Sequence, residues 1–485
     1  MLKFSFTLYQ LTKQHMIRIG VSICFILFAF SCKTLDVRTK PKPNIILILV
    51  DDQGWSGTSV QMSDAISNSK SKFIETPNLE RLASSGMRFS RGYAAAPVCS
   101  PSRYSIQFGQ SPAKLNMIRV AMSTNHINHK TDFTLPKMIK AADSTYTTAH
   151  FGKWGIDADP DFIGYDIDDG NNRNKDGFFV TDKTQWKVKH DEDPKKIFSL
   201  TNKATKFIEE QLNSNNPFFL QLSHFAVHTN IMAKRETVNK YDNKEKTKYY
   251  DDAGFAAMSE NLDESLGLIL DKLIELRALD NTYIIYTSDN GSIPSIPARP
   301  RYKESMNAPL SRGKWDAMEG GIRVPFIVSG PNIRAGSESS VPVIGYDILP
   351  TVIDLINPKF KLHSSFEGGS FRDILFSSGE GSVSRPFDGF IFHVPYANRI
   401  AINRAHSALI RGRYKLIKFR NNDELLMFDL DQDFHEQNNL SKELKELTSE
   451  LETSLDNYLK DVKAVKWKKG IGWKKGTIES INSFH

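Results

Sequence analysis

Four stretches of this sequence carry side chains able to do acid–base, metal or nucleophilic chemistry. Asp51-Asp52 follows the apolar run Asn44–Val50, His228 lies just past Pro217–Ser223, and Ser288-Asp289-Asn290-Gly291 closes the run Thr282–Thr287. Carboxylate and amide oxygens with no His or Cys cluster suit a hard ion, calcium or magnesium. A histidine can give a proton to an alkoxide near neutral pH, and lysines or arginines can hold developing negative charge. The fourth stretch is Pro97-Val98-Cys99-Ser100-Pro101-Ser102-Arg103. Taken singly, each has a plainer reading. The aspartates could form a turn after a strand, Cys99 a small buried core residue, His228 a satisfied structural histidine, and Lys153 and Lys314 solvated surface lysines.

The elements that must position these groups read as α/β. Asn44–Val50 is continuously apolar and of strand length, as suits a strand buried on both faces. Ala204, Phe207, Ile208 and Leu212 have helical spacing before the next strand, Pro217–Ser223. Phe255, Met258, Leu262, Leu266, Ile269 and Leu273 mark a long amphipathic helix before the strand Thr282–Thr287. Polar residues thus recur at strand ends, where open α/β sheets place their ligand sites. Beyond Pro358 the texture changes. Gly389–His393, Ser407–Ile410, Tyr414–Lys418 and Leu425–Phe428 predict a small antiparallel sheet, and Leu444–Leu459 a closing helix.

At 485 residues and 40% hydrophobic, the chain is long enough for one large domain or two unequal ones. Lys3, Lys13 and Arg18 precede an apolar run, Ile19 to Phe30, shorter than the ~20 residues that span a bilayer. The run ends at Ala29-Phe30-Ser31-Cys32, small residues placed as at a cleavage site. This resembles a bacterial lipobox with Cys32 as the lipidated first residue; a plain signal peptide or an uncleaved anchor are the other readings. The protein is thus expected to be exported, at the periplasm or the outer membrane or cell surface, and held to the membrane by a lipid anchor. Of three cysteines, Cys24 lies in the leader and Cys32 at its end, so the mature domain keeps only Cys99 and has no internal disulfide. A lone cysteine in an exported domain invites a reason. The net charge of +7 favours a polyanionic partner. Export excludes nucleic acid as that partner, and a sulfated polymer fits. Trp467-Lys-Lys-Gly470 and Trp473-Lys-Lys-Gly476 form a basic tail that could stack on sugars, though a solvated tail is the plainer reading.

The segment around Cys99 contains Cys-x-Pro-x-Arg, which resembles the maturation signature of type I sulfatases. Other family-like blocks keep the expected order: Asp51-Asp52, Phe151-Gly152-Lys153-Trp154, Ala226-Val227-His228-Thr229, Ser288–Gly291, Arg312-Gly313-Lys314 and Glu319–Pro325. The resemblance runs over roughly residues 43 to 440, ending in Phe428-Asp429-Leu430 to Asn439-Leu440. It implies an alkaline-phosphatase-like α/β fold with a large central mixed sheet flanked by helices. A signal peptide over 1–31, a tether over 32–42, a catalytic domain over 43–358, a smaller α+β domain over 359–462 that helps to wall the pocket, and a tail over 463–485 are expected.

The resemblance also implies the chemistry. A maturation enzyme would oxidise Cys99 to formylglycine (3-oxoalanine), whose hydrate attacks sulfur and displaces the alcohol. The second hydroxyl then expels sulfate, an exit that a thiol or serine lacks. Asp51, Asp52, Asp289 and Asn290 would hold calcium, more readily than magnesium, with the residue at 99 as a further ligand. Lys153 and Lys314 match sulfate-contacting lysines, Arg103 would hold the modified residue, and His228 matches the histidine near the leaving oxygen. One departure stands out. The family pattern continues Gly-Lys-Trp with a histidine that bonds the hydrate, whereas this chain has Gly155. Either another group substitutes, with His150 nearby in sequence, or the second step is slow. Glu319 and Arg323 read as structural, and Tyr396, Asn398, Arg399, Arg404 and His406 as guesses for sugar recognition. The expected function is hydrolysis of O-sulfate from a sulfated polysaccharide or its oligosaccharides. The rivals are a phosphoester or phosphonate hydrolase of the same superfamily and a non-catalytic binder of sulfated glycans.

Overall fold

The computed structural model describes residues 41–247, 251–294, 306–398 and 404–466. The expected leader, Cys24, Cys32, Arg399 and the tail from Trp467 onward lie outside the described residues. Among those described, no helix is long and apolar enough to cross a membrane.

Eight strands form the central sheet: β1 (Asn44–Val50), β2 (Gly86–Phe89), β3 (Thr147–Gly152), β4 (Ile167–Asp168), β5 (Phe218–Ser223), β6 (Thr282–Ser288), β7 (Phe326–Ser329) and β8 (Ser337–Ser339). Their order is β8-β2-β7-β6-β1-β5-β3-β4. β1 pairs in parallel with β5 and β6, and β3 with β5, while β7 runs antiparallel to β6 and β2. The sheet is therefore mixed, as expected. All seven residues of β1 are buried. Its alternate side chains feed two cores. Ile46, Ile48 and Val50 pack with Leu79 of α1 (Pro77–Ser84), Phe207 of α4 (Ile197–Asn213) and Leu262 of α5 (Ala253–Glu275). Ile45, Leu47 and Leu49 pack with Ile106 of α2 (Cys99–Phe108), Leu135 of α3 (Leu135–Ala142) and Val352 of α6 (Ile348–Ile356).

The register brings the useful ends together. Leu49 of β1 lies opposite Ser223 of β5 and Thr287 of β6. Asp51, His224 and Asp289 therefore leave the sheet along one carboxyl edge, and Lys153 leaves β3 there too.

The four expected C-terminal strands are present as a meander: β9 (Phe390–Val394), β10 (His406–Arg411), β11 (Tyr414–Phe419) and β12 (Leu425–Asp429). One face packs on α7 (Lys445–Asp461) through Leu451 and Leu455. The other packs on Tyr93, Met318 and Ile322. Lys415 of β11 is fully buried between Glu319 at 3.0 Å and Glu436 at 2.6 Å. Glu436 also accepts a hydrogen bond from the Glu319 backbone N–H at 2.7 Å. The small sheet is thus bolted to the Glu319–Pro325 block, a role the sequence reading gave to Glu319.

Candidate active site

Cys99 is the first residue of α2, whose N-terminal turn has no side-chain cap. Free N–H groups and the helix dipole there favour an anion. Cys99 is only 3% exposed. Its Sγ and one oxygen each of Asp51 and Asp289 lie within 4.8 Å of one another. That buried group can hold a metal ion. Two further observations fit one. The Oδ1 atoms of Asp51 and Asn290 are buried acceptors with no hydrogen-bond partner, and such orphans are costly unless a cation or donor meets them. All the donors around them are oxygen except the sulfur at 99.

Fixed cations balance the three carboxylates. Lys153 is hydrogen bonded to Asp51. Lys314 reaches both oxygens of Asp52 at 2.6 Å. Arg103 donates through Nε to Asp289 at 2.8 Å, and to the carbonyl of Lys153. Asn290 Nδ2 donates to Asp52 at 2.7 Å, and the Asp52 N–H to Asp289 at 3.3 Å. Asp52 adopts a left-handed φ of 63°, a conformation rare for non-glycine residues and common at functional sites. A divalent ion added to this neutral set would leave it cationic, as an anionic substrate requires.

The titration behaviour follows from burial and these neighbours. Burial pushes Asp51 up, yet Lys153, His228, Lys314 and Arg103 together hold it well below the usual carboxylate range. Burial and Asp51 raise Asp289 to about 6. Burial, aided by Lys314, lowers the pKa of His228 well below its ordinary value, while Asp51 opposes the shift. His228 Nδ1 donates to the Thr229 carbonyl at 2.6 Å, so Nδ1 carries a proton. Nε2 is left 3.7 Å from Asp52.

These groups meet at a cavity of about 490 Å³, lined by Asp52, Cys99, Lys153, His228 and Lys314, a size suited to a small ligand. The structure therefore brings Asp52, Cys99, Lys153, His228 and Lys314 to one cavity, and joins Asp51, Arg103, Asp289 and Asn290 to them through hydrogen bonds. The remaining walls were not anticipated: Met117, Met122, Asp157, Arg173, Lys175, Phe179, Gln185, Trp186 and Trp315. Most lie between 155 and 186, a stretch with no periodic pattern to flag it.

Three expectations need correction. No described wall residue lies beyond Trp315, and the small sheet meets the segment after Lys314 through His406 and Lys415. His406 accepts the Ala317 N–H at 3.0 Å and pairs with the Arg404 carbonyl at 2.8 Å, and is a satisfied structural histidine. Arg404 stacks 3.4 Å from the Phe419 ring centroid and pairs with Glu424; Tyr396 and Asn398 are buried, and Tyr396 lies within electrostatic reach of Cys99. His150 does not stand in for a histidine at 155. It packs edge-on to Trp154 at 4.5 Å and bonds Ser223, away from the cavity. Gly155 has a φ of 76°, and a Cβ there would lie 3.0 Å from Cδ of Arg103. The backbone and the arginine together favour glycine.

The family model described as Sulfatase matches residues 43–358, more than half of the chain. The chain belongs to the sulfatase family. A second model, N-sulphoglucosamine sulphohydrolase C-terminal, matches residues 314–464, which include the small sheet and α7. The chain is 30% identical over 370 residues to the N-acetylgalactosamine-6-sulfatase of Sus scrofa, covering 68% of this chain and 65% of that one. It thus spans just under two thirds of that relative's length. It is 24% identical over 465 residues to the ulvan-active sulfatase of Formosa agariphila, covering 89% of this chain and 84% of that one. The solved structure of Ps i-CgsB in complex with k-i-k-neocarrahexaose superposes with a TM-score of 0.70 at 23% identity, covering 91% of this chain and 96% of that one. That likeness shows a shared fold.

Proposed function

We propose that this chain is a sulfuric ester hydrolase that removes O-sulfate from a sulfated carbohydrate, with Cys99 matured to formylglycine. The observation that carries this reading is Cys99 at an uncapped helix N-terminus, beside orphaned oxygens and beneath three buried cations. Asp51, Asp52, Asp289 and Asn290, with the residue at 99, would hold calcium. When present, the ion supplies Lewis acidity and the matured side chain an oxygen nucleophile. Lys153 and Lys314 stabilise negative charge that grows on the sulfuryl oxygens. Arg103 fixes Asp289 and the Lys153 backbone. His228 presents Nε2 to the cavity and moves a proton at the leaving oxygen. Trp186 and Trp315 offer flat faces for sugar rings, and Arg173 and Lys175 further positive charge at the wall. Relatives named for N-acetylgalactosamine-6-sulfate and ulvan support a glycan substrate. Export with a lipid anchor at Cys32, and the division at about residue 358, complete the proposal.

Two measurements test it. Peptide mass spectrometry of the Cys99 segment from the native host should find the aldehyde; an unmodified thiol throughout would remove the nucleophile. A panel of defined sulfated oligosaccharides, with matched aryl sulfate and aryl phosphate, should release sulfate. Cys99→Ala should release none while keeping its fold. Faster turnover of the phosphate would favour a phosphoester hydrolase.

A further inference from the structure

Lys195 is 1% exposed, and the chemistry above makes no use of it. Among the described residues no carboxylate comes within ion-pair distance of it. Its ammonium donates instead to two carbonyls, Gly177 at 2.8 Å and Thr229 at 3.0 Å. A buried charge resting on carbonyl oxygens alone is unusual, because desolvation is only partly offset. The backbone is also bent to place it. Lys195 and Lys196 both have left-handed φ values, 54° and 57°, which L side chains rarely adopt. This turn lets Asp193 cap α4 through the Phe198 N–H at 2.7 Å while Lys195 points inward.

Both carbonyls matter to the cavity. The Thr229 carbonyl is the acceptor that fixes the His228 ring through Nδ1. Gly177 precedes Phe179, whose ring edge rests on the other side of His228, centroids 4.9 Å apart at 85°. A Cβ at Gly177 would meet Phe225 at 2.4 Å, so the Gly177 turn is pressed against the end of β5. Asn230 Oδ1 accepts the Val180 N–H at 2.9 Å and joins the same two loops.

We propose that Lys195 is a positioning residue, whose ammonium clamps the Gly177 and Thr229 carbonyls and so holds His228 in its proton-donating pose. This rests on the sulfatase reading of the site. Lys195 touches no substrate and acts only through His228 and its backing ring. Burial lowers its pKa to about 7, against the opposing pull of the Asp51 and Asp52 charges.

The test uses leaving-group dependence, which a merely structural role would not produce. The full-length matured enzyme is assayed on a sulfated oligosaccharide, whose leaving alkoxide needs a proton, and on 4-nitrophenyl sulfate, whose leaving phenolate does not. Lys195→Met should lose about tenfold or more in kcat/KM on the sugar and under about threefold on the aryl ester. On a His228→Ala background the same change should cost under about twofold. Lys195→Gln keeps a donor without the charge; if the methionine variant does not fold, it should show the same substrate-selective pattern at smaller size. Equal losses on both substrates, or an undiminished loss on the His228→Ala background, would overturn the proposal while leaving the sulfatase reading intact. A matured wild type that releases sulfate from neither substrate would overturn both.

Discussion

Withdrawing divalent cations is expected to lower the melting temperature by an amount that the site itself sets. Asp51 Oδ1 and Asn290 Oδ1 are buried without partners, and each such acceptor costs about 1–3 kcal/mol. An ion that meets both therefore contributes about 2–6 kcal/mol. Unfolding entropy near 2.1 cal/mol/K per residue gives ~0.9 kcal/mol/K for about 440 residues. The corresponding shift is about 2–7 °C. A gain of about 4 kcal/mol also matches free ion near a thousandfold above Kd. The assay is calorimetry of chelated protein with calcium or magnesium restored. Asn290→Leu deletes one acceptor, along with its donor to Asp52, and should shrink the calcium-dependent shift by about half. Calcium is expected to outperform magnesium, because crowded, partly rigid oxygens satisfy its looser geometry. Identical melts with and without ion, or an Asn290→Leu shift as large as that of the wild type, would refute the reasoning.

Three further outcomes follow from named contacts. Lys153→Ala and Lys314→Ala should each lower kcat/KM about 10²–10³-fold in sulfate-release assays, the cost of losing one preorganised charge at the reacting oxygens. Lys415→Met leaves Glu319 and Glu436 buried together; denaturant melts should show a loss of about 3–5 kcal/mol, as for other broken buried pairs. Asp263 accepts the Asn78 and Leu79 N–H groups at the start of α1, and burial raises its pKa from 3.8 to about 6. A raised carboxyl binds more protons when folded, so its contribution is full below pH ~4 and fades as pH rises through ~6, by up to about 3 kcal/mol. Melts over this window should slope downward with pH in the wild type, and Asp263→Asn should flatten that slope.

Local patterns already carried much of this molecule. The apolar run Asn44–Val50 suits a strand covered on both faces, and the apolar spacing from Phe255 to Leu273 suits a helix with one buried side. Polar groups placed directly after such strands had to leave the sheet at its carboxyl edge, so Asp51, Asp52, His228, Asp289 and Asn290 were legible as a group. Cys99 drew attention by being alone. Only the folded chain could decide the rest, since contacts across two hundred residues depend on register and on which loops close over which. The sequence did not show that Asp52 is gripped by Lys314, that His150 turns into a packed aromatic cluster, or that the small sheet braces the segment after Lys314 through His406 and Lys415. The wall from 155 to 186 has no period to reveal it. A loop's side chains face the cavity because of where its ends are held, and at Gly177 and Thr229 that hold comes from Lys195, 18 residues after the one and 34 before the other.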